Sequence, residues 1–223
     1  MRLLSTLALS GVVQALTPAF EAAQGVRLRC EFMPTAVLMP RLLGGEAADV
    51  ALLTADGVTA LVDAGVMIGN SWRDLARSFV GVAVQAGAVR PDISTPEAFV
   101  AAMLAASSVA MSRHGASGLF LARLLPQLGI EEAVRAKATV IESGYTAELA
   151  ARGEVALALQ QVSELMVVPG VDIVGRLPAA LGGQTVFSGG VMRSSGRPHL
   201  GAALLAAIAA ARGVLVEKGL EPI

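Results

Sequence analysis

Residues 112 to 125 read SRHGASGLFLARLL, a cation and an imidazole, then four small residues, then an apolar run. Arg113 is the residue type that grips an anion, and His114 is one that removes a proton. Gly115, Ala116, Ser117 and Gly118 are small enough to let a ligand approach free backbone N–H groups, and a helix starting there favours negative charge. Leu119, Phe120, Leu124 and Leu125 fall on one helical face, Arg123 falls off it, and Pro126 ends the pattern. Ser117 reads equally as an ordinary N-cap. Two chemistries are therefore open, anion binding and general-base catalysis. For the second, His114, Glu164 or Asp56 could supply the base. Asp56 in "TAD" also reads as a helix cap, and Glu164 after "QQVS" as the start of a helix.

Composition narrows the classes. The chain has 223 residues, 54% hydrophobic but only 4% aromatic, so its core is built from Ala, Val and Leu. A formal charge of -1 gives no electrostatic case for nucleic acid or an anionic membrane surface. Cys30 is the single cysteine, which excludes an intrachain disulfide and a cysteine zinc site. No metal-ligand cluster, P-loop, GxGxxG or Ser-His-Asp order is visible, so no metal and no cofactor are expected. The opening "MRLLSTLALSGVVQAL" reads as a strand over 3–9, a turn at Ser10-Gly11 and a helix to about Ala23 rather than an export signal. As written, the expectation is a cytoplasmic chain unless a leader has been removed. The apolar run 200–211 is too short to span a bilayer, so no membrane insertion is expected.

These residues need a scaffold, and strand and helix signals alternate from the first residue. Strands are expected over 26–32, 48–54, 78–87, 107–112, 137–143, 155–161, 171–178 and 185–192, with helices between most of them. Thr95 should cap a helix with Pro96 at its first position and Glu97 in its first turn. The C-terminal helices open at Pro198 and are punctuated at Gly213 or Gly219. No internal repeat is visible. This order predicts an α/β chain of two lobes, each a mainly parallel sheet flanked by helices. Lobe 1 takes 1–80 and 188–223, lobe 2 takes 81–187, and the chain crosses near 78–87 and 184–192. Ligands of open α/β sheets bind outside the carboxyl ends of the strands, so a cleft between the lobes is the expected site.

The stretches "AFEAAQGV" and "GGEAADVALLTAD", with Ser10-Gly11, Thr35 and the ending "VLVEKGLEPI", resemble the molybdate-type solute-binding proteins of bacterial ABC importers. The resemblance covers nearly the whole chain and implies a class II periplasmic-binding-protein-like fold that closes on a small anion. It implies a ligand set of Ser10 with Gly11, Thr35, Ser117 with the amides of Ala116 and Gly118, and Tyr145. Gln160 falls where that family often has Tyr. Arg77 and Ser78, around the start of the mid-chain strand, and Arg113 join the candidate set by their position near the expected cleft rather than by the resemblance. The implied partners are the small anionic ligand and the permease of an ABC importer, and the family is usually exported. Gln160, Arg77, Arg113 and His114 depart from a pure molybdate pocket and suit a di- or tricarboxylate, which bidentate arginine matches. Some relatives of this fold are isomerases of aconitate-like acids, which makes isomerisation, with His114 as base, the alternative activity.

Overall fold

A computed structural model describes all 223 residues. The chain divides into two compact units, residues 1–78 with 185–223 and residues 79–184.

In unit 1, β1 (Arg2–Ser5), β2 (Arg29–Phe32) and β3 (Val50–Thr54) are parallel, with β1 in the middle. β9 (Gln184–Val191) runs antiparallel to β3, and β10 (Glu221–Pro222) pairs with the first half of β4 (Arg73–Gln85). Residues of β1 and β3 alternate between two cores. Leu3, Val50 and Leu52 pack under α1 (Ser10–Gln24), α9 (Pro198–Ala210) and α10 (Arg212–Glu217). Leu4, Ala51 and Leu53 pack under α2 (Thr35–Leu43) and α3 (Ala55–Asp63). A sheet covered on both faces is why "VALLT" is apolar throughout.

Unit 2 repeats the plan. β5 (Val109–Ser112) lies between β6 (Ala138–Ile141) and β7 (Leu157–Gln161), all parallel. The second half of β4 runs antiparallel to β7 and to β8 (Val171–Arg176). Val82, Val109 and Leu159 face the core beneath α4 (Pro96–Ala105), α5 (Ala116–Gln127) and α6 (Glu131–Arg135). Ala83, Ala110 and Ala158 face the other way, against α7 (Ala147–Ala151) and α8 (Val162–Leu165).

Several boundaries differ from the sequence reading. The first strand stops at Ser5, not at residue 9, because its last ladder bonds are Met33 N–H to Ser5 O and Thr6 N–H to Leu52 O. The apolar run continues because Leu7–Leu9 form a buried 3-10 turn, and Ser10-Gly11 opens α1 rather than making a turn. The strand expected from residue 26 starts at Arg29, since Gly25 ends α1 and Leu28 N–H donates to the Glu21 carboxylate at 2.7 Å. β4 begins at Arg73, so Arg77 and Ser78 lie inside it rather than at its start. Helix α5 carries Pro126 within its last turn, where one absent N–H does not stop it. Its buried stripe is Ser117, Leu121, Leu124 and Leu125, and Leu119 is exposed because it falls between the rows of that stripe. Gly213 sits inside α10, and the break between the last helices falls at Ala211.

Candidate functional site

In each unit the chain leaves the middle parallel strand for one neighbour and then returns to the other side. Unit 1 runs β1 to β2 to β3 with spatial order β2-β1-β3, and unit 2 runs β5 to β6 to β7 with order β6-β5-β7. The connections therefore diverge at the carboxyl ends of β1 and β5, which is where open α/β sheets form ligand crevices. The two edges carry the same short pattern. Ser5 ends β1 and Ser10-Gly11 opens α1, while Ser112 ends β5 and Ser117-Gly118 lies in the first turn of α5. Each serine pair is five residues apart. Ser10 and Ser117 are both fully buried.

At the unit 2 edge the first turn of α5 is pressed onto the end of β5. Gly115 occupies the N-cap position without a side-chain cap, leaving the amides of Ala116, Ser117 and Gly118 as the free helix donors. Ser112 and Ser117 hydroxyls lie 3.4 Å apart. Gly118 is required for this contact, because a Cβ there would lie 1.8 Å from the Ser112 carbonyl oxygen. Beside it, Glu142 at the end of β6 accepts from Arg113 Nε at 2.6 Å and pairs with His114 Nε2 at 2.9 Å. The Arg113 hydrogen bond holds the Glu142 carboxylate below its ordinary value. All three side chains face water, with 56%, 40% and 65% exposure for Arg113, His114 and Glu142, so the cluster contributes little to stability and remains open to a competing anion.

The next connection, residues 142–146, passes from β6 over the end of β5 to reach β7, and carries Tyr145. Gln160, at the end of β7, is buried and braces it: Oε1 accepts from Thr146 N–H at 2.8 Å and from the Thr146 hydroxyl at 3.1 Å, and Nε2 donates to Gly144 O at 3.0 Å. Glu164 follows in the first turn of α8, with its Oε2 3.3 Å from Gln161 N–H. It is 3% exposed. Burial pushes its carboxyl up to about 8, against lowering by Gln161 N–H and the Gln160 side chain.

At the unit 1 edge Thr35 opens α2 and its Oγ1 accepts from Thr54 N–H at 3.2 Å, tying that helix start to the end of β3. The cap of α3 is Thr54, which accepts from Gly57 N–H at 3.4 Å, so Asp56 is not the cap. Asp56 is exposed in the first turn instead. Ser10, Gly11 and Thr35 gather at this edge, and Ala116, Ser117, Gly118, Arg113, His114, Tyr145 and Gln160 gather at that of unit 2. Arg77 and Ser78 belong to neither cluster of helix starts. Arg77 is half-buried in β4 with Glu221 of β10 opposite it in register, and Ser78 is buried one residue on. Sequence reasoning did not single out Ser112, Glu142 or Thr146. The equal Ser-to-Ser spacing at the two edges was the signal for Ser112.

No cluster of three His, Cys, Asp or Glu side chains is arranged to hold a metal, and no helix is long and apolar enough to cross a membrane. The family model for bacterial extracellular solute-binding proteins matches residues 1–221. The chain belongs to that family. The chain is 36% identical over 231 residues to an aconitate isomerase from a Pseudomonas species, a match covering 100% of this chain and 88% of that one. The periplasmic molybdate-binding protein of Azotobacter vinelandii superposes with a TM-score of 0.81 at 15% identity, covering 99% of this chain and 98% of the other. The sulfate-binding protein of Mycobacterium tuberculosis superposes with a TM-score of 0.74 at 15% identity, covering 100% and 86%. These structural likenesses establish the α/β fold of periplasmic binding proteins for this solute-binding chain.

Proposed function

We propose that the protein binds a small polycarboxylate of the aconitate type through the carboxyl-edge helix starts of its two units. The observation that carries this reading is the exposed Arg113 guanidinium set beside the free amides of α5, on a chain whose full length resembles an aconitate isomerase. Helix amides alone suit a tetrahedral oxyanion, whereas an open guanidinium that already holds one carboxylate, Glu142, is built to hold another. Ser10, Gly11 and Thr35 in unit 1, and Ala116, Ser117, Gly118 and Tyr145 in unit 2, supply the amides and polar groups. Gln160 contributes through the loop it braces. The two units, divided at 78/79 and 184/185, act as the binding lobes, and where no turnover occurs the bound anion is handed to the permease of an ABC importer.

The same relative favours a second reading, in which binding is followed by chemistry. Aconitate isomers interconvert when a proton leaves the methylene carbon alpha to a carboxylate and returns to the other end of the allylic system, with no redox change and no cofactor. His114 is the base on this reading. With Nε2–H directed at Glu142, the free lone pair is on Nδ1. Proton NMR of aconitate in D2O with the protein tests both steps. Shifted or broadened ligand signals report binding, and deuterium entering the methylene position reports proton abstraction. His114→Gln is expected to stop deuterium uptake and keep binding. Absence of any perturbation with aconitate, citrate or a dicarboxylate would refute the polycarboxylate reading. Binding without exchange would leave a transport protein.

A further inference from the structure

Between α5 and β6, unit 2 carries a groove that the anion chemistry described above leaves unexplained. β6 is the last strand on its side of the sheet, and α6, five residues long, reaches the groove only with Glu131 and Arg135. The cavity that remains open measures about 250 Å3. Met111, Leu121, Leu125 and Val140 make its lining apolar, and Ala122 lies exposed on one wall. An arginine stands at each end. Arg113 follows the carboxyl end of β5, and Arg135 precedes the amino end of β6. The two strands are parallel, so these positions are at opposite ends of the groove. The α5 wall between them, from Gly118 to Leu125, spans about 10 Å at the rise of a helix.

We propose that this groove is a second binding site, for a linear aliphatic α,ω-dicarboxylate of about the length of suberate. Each guanidinium is available to it. Arg113 donates through Nε to Glu142, and Arg135 through Nη2 to Glu131, so each commits one of its five N–H donors. Both pairs are exposed, with Arg113 at 56% and Arg135 at 75%, so a competing carboxylate gives up little to share either arginine. Glu131, the one acidic side chain of the lining, already has its charge balanced by Arg135. The apolar middle selects against citrate-like acids, whose central oxygens would meet Leu121 and Val140 without a hydrogen-bond partner. A monocarboxylate leaves one arginine unused, and a short diacid cannot reach both. Arg113 borders the groove and the start of α5 alike, so a groove ligand competes there with a polycarboxylate. That competition rests on the polycarboxylate reading above, whereas binding in the groove does not.

Met111, Leu121, Leu125 and Val140 all carry methyl groups, so NMR of protein labelled at methyl carbons and backbone nitrogens reads the groove directly. Suberate, succinate and octanoate are titrated in turn. Suberate is expected to move these four residues' methyl signals in a saturable way, and to bind about tenfold or more tighter than succinate or octanoate, as one charged hydrogen-bonding end implies. Arg135→Gln should lower suberate affinity to that of octanoate while trans-aconitate affinity stays as in wild type. Ala122→Trp, at an exposed position, should fill the groove and abolish the suberate shifts. Should that variant fail to fold, Arg135→Gln decides the matter. Groove methyls unmoved by suberate, octanoate binding as tightly as suberate, or Arg135→Gln without effect would each overturn the proposal. Suberate shifts confined to the amides of residues 115–118 would place the diacid at the polycarboxylate site and overturn it equally. Groove shifts with suberate, and no response of residues 115–118 to any polycarboxylate, would sustain the groove site and refute only the polycarboxylate reading.

Discussion

A single methyl group at Gly118 would separate α5 from β5. Its carbon would sit 1.8 Å from Ser112 O and 2.9 Å from the Ser112 hydroxyl, and a strand-end carbonyl cannot yield as a flexible side chain would. Gly118→Ala is expected to cost about 3 kcal/mol or more in urea unfolding, at the upper end of overpacking, and to weaken anion binding with it. Arg113 makes the opposite kind of prediction, since its side chain is exposed. Arg113→Lys should leave stability unchanged but cost a bound carboxylate about 1.5–3 kcal/mol by calorimetry, because a planar fork becomes a point charge. It should be silent toward molybdate. Glu164 sets the pH dependence. Its ordinary value is 4.5 and its folded value about 8. Well below 4.5 both folded and unfolded chains hold the proton. Between the two values folding takes a proton up, so stability falls as pH rises, by roughly 1.4 kcal/mol per pH unit, and above about 8 it levels. Glu164→Gln removes this loss, so its melting temperature should match wild type near pH 4 and exceed it increasingly toward pH 8. Little of this residue-scale detail is legible from types alone. Arg113, His114 and Ser117 stood out because their chemistry is intrinsic. Gly118 and Glu164 acquire their roles only from what lies against them.

Helices begin where the strands end, and the quality of each beginning can be tested. Thr95 caps α4 with its side chain accepting Ala98 N–H at 3.1 Å, and Pro96 fills the first helical position. Thr95→Ala is expected to cost about 1 kcal/mol in denaturant titration. That start was readable in advance because cap, proline and acidic residue are adjacent in sequence. The start of α5 was readable from its four small residues, but its N-cap is Gly115 and Ser117 lies in the first turn rather than capping it. Others were not. The cap of α3 is Thr54 rather than the aspartate two residues later, because only Thr54 keeps the extended backbone that aims a side chain at Gly57 N–H. The first half of β4 carries Arg73, Asp74 and Arg77, charges that look like a loop until β10 is found paired against it. Strands held by distant partners do not announce their ends.

At the scale of the molecule, ligand binding and folding are coupled by mass action. A thermal-shift screen of oxyanions and di- and tricarboxylates should find the ligand as the compound that adds about 2.7 kcal/mol of stability at 100 times its Kd. Alternation of strand and helix made the α/β class legible from the start. The matching strand orders of the two units were not, because the shared sequence reduces to a serine and a Ser-Gly pair five residues on. One feature of the connectivity also orders events in time. Unit 2 is a single continuous stretch, residues 79–184, whereas unit 1 is closed by β9, which lies between β3 and β4 but follows unit 2 in the chain. A nascent chain can therefore finish unit 2 while β3 still lacks its antiparallel neighbour, and the flank of the first sheet stays open until residues 185–191 emerge. In pulse-labelled refolding, amides of β5 and β7 should gain protection before those of β3 and β9. The segment synthesised first would be the last to become a finished domain.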